Sequence, residues 1–167
     1  LVVAGASAQP YPNRAVRIII PFPPGGTLDT LGRAMAQKLG DQTGQSFVVE
    51  NRPGGNGIIG ADAVAKAQAD GYTLLFNAST FVTAPMTMKQ VPYAIEKDFT
   101  PIALVAKAPL SVAIAKDRPV TDIRSLIAYA KANGDKTTFA VGSIDSTGHL
   151  TTELLKHADG IAYTVVP

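Results

Sequence analysis

The run Ile18-Ile19-Ile20-Pro21-Phe22-Pro23-Pro24-Gly25-Gly26-Thr27-Leu28-Asp29 leaves this chain few folding options. From Arg17 to Phe22 it is apolar and rich in β-branched residues, which suits a strand of a parallel sheet covered on both faces. Pro23 and Pro24 cannot continue a hydrogen-bonded ladder, and Gly25-Gly26 lets the backbone turn sharply or approach a ligand closely. Thr27 is placed to cap a helix, and Leu28, Leu31, Met35 and Leu39 follow at helical spacing. A strand, a glycine turn and a helix start aim free N–H groups and a positive dipole end at one point. Such a point attracts an anion.

The chain then repeats the device. Gly40 and Gly44 stop the first helix, and Ser46 to Glu50 reads as a second strand. The glycine-rich loop from Asn51 to Gly57 leads into a helix from Ile58 to Gln68. Asp70-Gly71 is a turn, Tyr72 to Phe76 a third short strand, and Asn77-Ala78-Ser79-Thr80 a small, hydroxyl-bearing hand-over to the next helix. This β-α-β-α-β order predicts a parallel sheet with right-handed crossovers, whose ligands sit at the carboxyl ends of the strands. Pro24 to Thr27 and Asn77 to Thr80 both occupy such ends.

Thr83 to Phe99 reads as a long surface connection, followed by expected strands at Thr100 to Val105 and Leu110 to Ala115. A composition shift around Lys107-Ala108-Pro109 marks a domain crossover, giving residues 9–106 to one domain and 107–167 to part of a second. Pro119-Val120-Thr121 opens a helix with Asp122 in its first turn, Ile123, Leu126, Ile127 and Ala130 on one face, and Asn133-Gly134 as its stop. A strand at Thr137 to Val141 and the loop Gly142 to Gly148 come next. Beyond them lie a helix from His149 to Ala158, with Leu150, Leu154 and Leu155 inward, and a last strand from Ile161 to Val166. The loop offers Ser143, Ser146 and Thr147 beside another helix start. Two such loops facing each other would clamp an anion with hydroxyls and amides. Equally, both would serve as caps and turns of an ordinary α/β protein.

Several chemistries are disfavoured. With 15 basic and 13 acidic residues scattered along the chain there is no basic stripe for nucleic acid. No uncharged run reaches the length of a membrane span, and the absence of cysteine excludes a disulfide framework or thiolate metal site. Gly25-Gly26 followed by Glu50 imitates a dinucleotide site, but the G-x-G-x-x-G spacing and a Walker lysine are missing. His149, Glu153 and His157 span about 12 Å of helix, too far to share one ion. Asp145, Ser146 and His149 contain triad residue types without a nucleophile elbow. Binding is favoured over catalysis. A small α/β enzyme or nucleotide-binding module built on the Gly25-Gly26 loop is the alternative. At the front of the chain, Leu1 to Ala8 is apolar, then small, and ends in Ala6-Ser7-Ala8, the remnant expected of a signal peptide and hence of export.

The segment Arg17 to Gly26 with Asp29 resembles the first signature of the Bug family, the periplasmic solute-binding receptors of tripartite tricarboxylate transporters. Further similar segments are Val49 to Gly55 with Gly57, Ile59 and Gly60; Asp70 to Leu75; Val91-Pro92-Tyr93; Lys97 to Ile102; and Ser146 to Leu150 with Glu153-Leu154. The resemblance implies an α/β Venus-flytrap fold of periplasmic-binding-protein type II, with two domains closing on a small carboxylate. It also implies delivery to integral-membrane permease subunits, with no cofactor, metal or catalytic residue. The ligand-binding positions it implies are Pro24, Gly25, Gly26, Thr27 and Asp29 in the first loop, then Ala78, Ser79 and Thr80. Ser143, Asp145, Ser146 and Thr147 complete the set. Asp29 falls on the family's helix-start acid, where fixing the loop and touching the ligand are equally good roles.

The chain departs from the pattern in its second-domain loop. The family usually has serine where Val141 stands and glycines where Ser143 and Asp145 stand; it also has Asn-Pro where Ala84-Pro85 stands. Asp145 puts a negative charge beside an anion site, so the expectation is that it receives an ammonium or other donor from the ligand, or points outward. The family's chain also continues beyond the segment matching Tyr163 to Pro167. An N-terminal fragment with exposed sheet edges is therefore expected.

Overall fold

The computed structural model describes residues 10–167, so the expected signal-peptide remnant at residues 1–8 lies outside the described residues. The first three strands are β1 (Val16–Ile20), β2 (Phe47–Asn51) and β3 (Thr73–Leu75). They form a parallel sheet in the order β2-β1-β3, with Ile18 level with Val49 and Leu74. Central β1 is the apolar run, and Val16, Ile18, Ile19 and Ile20 are at most 1% exposed. Helix α1 (Thr27–Thr43) covers one face, packing Ala36, Leu28 and Met35 on Ile18, Ile20 and Phe76. Helix α2 (Ile58–Ala65) packs on β1 and β3 with Gly60 and Ala61 buried. A Cβ at Gly60 would lie 2.6 Å from Pro21 Cβ and 3.0 Å from the Arg52 carbonyl, so the close approach requires glycine.

The expected surface connection at Thr83 to Phe99 is instead folded. It holds α3 (Thr80–Thr87), α4 (Ile95–Asp98) and an aromatic cluster in which Phe81 stacks on Tyr93 and Phe99 meets both edge-on. Pro85 inside α3 removes the N–H that would meet the Phe81 carbonyl, and Tyr93 Oη donates to that carbonyl instead, at 3.4 Å. This side-chain replacement, invisible to periodicity, satisfies the carbonyl that the proline leaves open.

The second sheet pairs β4 (Thr138–Ala140) with β5 (Thr164–Val166), also parallel. Between them run α6 (Thr147–Asp159) and its loop; before them stands α5 (Ile123–Asn133). Ala130, Ile161 and Tyr163 form this unit's small core with Ile127, Phe139 and Val165. Asp122 proves to be the cap of α5, not a first-turn residue: its side chain accepts the Ser125 N–H, and Ser125 answers in a capping box.

Three other expectations are corrected. Thr27 is the first helical residue of α1 and Gly26 its cap, because Gly26 is still extended (φ −78°, ψ 173°) while its carbonyl accepts the Thr30 N–H at 3.0 Å. The expected strands at Thr100 to Val105 and Leu110 to Ala115 carry no ladder among the described residues, and Ile102 and Leu104 are 80% and 74% exposed. Apolar β-branched sequence makes a strand only beside a partner. Leu154 is 70% exposed and Leu31 38%, so neither belongs to an inward face.

Candidate functional site

Three loops leave the carboxyl edge of the first sheet, and each has a different task. In the first, Gly25 takes a left-handed φ of 87°, which turns its N–H onto Asp29 Oδ2 at 2.9 Å. That amide is therefore occupied, a correction to the expectation that the whole Gly25–Thr27 backbone is free. Asp29 is buried and fully engaged. Arg33 Nε donates to Oδ1 and Oδ2 at 3.0 and 3.1 Å, and Asn51 Nδ2 donates to Oδ1 at 3.0 Å. These donors, Arg33 first, then the Gly25 amide and Asn51, hold its carboxyl down at about 2. Of the two roles open to Asp29, the structure supports fixing the loop. What remains for a guest is the first turn of α1, where no side chain caps the amides of Thr27 and Leu28. Pro24, Gly25, Gly26 and Thr27 are all exposed there.

The second loop ties the site together, and its key residues were missed from sequence. Asn51, at the end of β2, also donates to the Phe22 carbonyl at 3.0 Å and accepts from Arg33 Nη2 at 2.9 Å. Asn56, held at φ 54° among glycines, donates from Nδ2 to the Ile144 carbonyl at 2.7 Å. An asparagine inside a glycine-rich stretch is the signal that could have found it, since asparagine tolerates that backbone region. Glu50, the acid a nucleotide reading needs, is engaged by Arg17 and Arg52, which lower its pKa.

In the third loop Asn77 Oδ1 accepts the Ala78 N–H at 2.7 Å, and Ser79 stands at the start of α3. Ala78 and Ser79 are exposed, whereas Thr80 is 7% exposed and its Oγ1 has no partner among the described residues. Ser79 Oγ is hydrogen-bonded to Thr147 Oγ1, which is the direct meeting of the two units' hydroxyl loops. Thr83, another residue the sequence reading passed over, donates from Oγ1 to the Asp145 carbonyl at 3.2 Å.

The second unit's loop is organised by its own helix. Ser146 Oγ accepts the His149 N–H at 3.1 Å and so caps α6, while the Ser143 carbonyl accepts the Ser146 N–H at 3.3 Å. Asp145 sits at φ 62°, and its N–H donates to His149 Nδ1 at 3.0 Å. The structure thus brings Ser79, Thr147 and Asp145 together and places Ser143 and Ser146 in the same loop. Pro24 to Thr27 lie on the same sheet edge, connected through Asn51, with no hydrogen bond to residues 143–147. Two hollows lie elsewhere: about 540 Å³ beside Arg33, Gln37 and Asp41, and about 290 Å³ beside Arg14, Asp70 and Tyr72.

Hydroxyls and uncapped helix amides at the carboxyl edge of a parallel sheet suit anion binding and offer no activated nucleophile. Residues 31–167 match the family described as the tripartite tricarboxylate transporter family receptor. The chain belongs to that family. Among its relatives, this chain is 39% identical to protein BugT of Bordetella pertussis over 99% of its own length and 52% of BugT's. An R. palustris protein solved with adipate superposes with a TM-score of 0.88 at 39% identity, over 95% of this chain and 53% of that one. MatC from Rhodopseudomonas palustris with bound malate gives 0.73 at 28% identity, over 94% and 54% of the two chains. The fold is that of the family's solute-binding proteins, and the chain spans about half the length of the relatives it matches. Among the described residues no helix is long and apolar enough to cross a membrane.

Proposed function

We propose that this protein is a periplasmic receptor that captures a small carboxylate between two α/β units and hands it to membrane permease subunits. The observation carrying the reading is the meeting of the Ser79 and Thr147 hydroxyls, together with the start of α1 on the same sheet edge, where no side chain caps the first-turn amides. Thr27 and Leu28 amides and the hydroxyls of Ser79, Ser143, Ser146 and Thr147 supply the donors; Pro24, Gly25, Gly26, Ala78 and Thr80 bring backbone close. Asp29 acts through the Gly25 loop. Residues 9–106 and 107–167 are the two jaws. Relatives solved with adipate and malate support a carboxylate guest, and membership of a receptor family supports a non-enzymatic role in the periplasm.

A thermal-shift panel on the full-length protein tests this. Organic and amino acids should raise the melting temperature by mass action, and nucleotides should leave it unmoved. A shift with nucleotides alone would replace the reading with the nucleotide-binding alternative.

A further inference from the structure

We infer that Asp145 selects a carboxylate guest that also carries an ammonium group, an inference that rests on the receptor reading above. Its backbone is held on both sides: the N–H by His149 Nδ1 and the carbonyl by Thr83 Oγ1, with the preceding carbonyl held by Asn56. The residue is half-buried and sits at φ 62°, so its backbone is fixed at the contact between the units. Yet among the described residues its carboxylate has no hydrogen bond or ion pair, in contrast to Asp29, met by Arg33, and Glu50, met by Arg17 and Arg52.

The residue belongs to the loop that opens α6, two positions before Thr147, whose hydroxyl meets that of Ser79. A purely anionic guest is repelled by Asp145 while it is attracted by the rest. A zwitterion satisfies both, placing its carboxylate on the amides and hydroxyls and its ammonium on Asp145.

The test is calorimetric titration of the full-length protein with matched pairs differing only in the ammonium: aspartate and succinate, glutamate and glutarate, 2-aminoadipate and adipate. The amino member of at least one pair should bind about 10-fold tighter or more. Asp145→Asn keeps the shape and tolerates the left-handed backbone, and it should erase that preference while plain acids bind as well or better. Asp145→Gly should do the same and serves where the asparagine variant does not fold. If plain acids bind and the preference is absent, or survives in the variants, the inference is overturned and the receptor reading stands. If no acid of either kind binds, both fall.

Discussion

The two sheets differ in how they are held. The β2-β1-β3 sheet is built on a strand with four of its five residues almost wholly buried, and its first loop is locked by the Asp29–Arg33–Asn51 network. The β4-β5 sheet has three-residue strands, and α6 above it buries no residue. Its site loop is held by the Ser146 cap and by bonds from Asn56, Ser79 and Thr83 of the first unit. One unit is thus a preformed platform. The other carries a loop whose setting depends on what it touches.

Substitutions at four positions press on that contrast. Ile18→Ala, at a position with no exposure, should cost roughly 2–5 kcal/mol in urea unfolding. A loss under about 1 kcal/mol would mean the platform is not rigid. The next effect is a pH dependence. Asp29 is depressed from 3.8 to about 2, so its contribution is fully present above the unfolded value and is lost as pH falls through about 2. Asp29→Asn should therefore lower the urea midpoint near neutral pH, and its deficit against the unaltered protein should shrink as the pH approaches 2. A deficit constant across that range would show that the network is not what lowers the carboxyl. Ser146→Ala should cost about 1 kcal/mol by removing the α6 cap, and Ser146→Gly only a few tenths. Smallest of all, Leu154→Ala on the exposed face of α6 should stay within about 0.5 kcal/mol in the same assay. A larger cost would show that Leu154 is covered.

The first sheet was legible because local signals agree there. An isoleucine run, prolines, glycines and a helical repeat all point to one strand–turn–helix. In the second unit the loop and helix were legible, but the inward face of α6 was not, since Leu150, Leu154 and Leu155 make a helical stripe whether or not anything lies against Leu154. Thr100 to Ala115 failed for a related reason: propensity names residues that fit a sheet, and pairing needs a neighbour. Thr83 to Phe99 failed in the other direction, as Tyr93 satisfies the carbonyl that Pro85 leaves open.

What the sequence determined by itself is the order of units, the strand–glycine–helix device and the family, because these depend on residues near one another in the chain. Only the tertiary structure decided which amides remain free. Whether Gly25 N–H faces a guest or Asp29 depends on Arg33 and Asn51, the latter donating across 22 positions of sequence. Whether the two hydroxyl loops meet depends on a contact between Ser79 and Thr147, 68 positions apart. A donor's availability is set by every acceptor within reach in space, and that reach is a property of the folded chain.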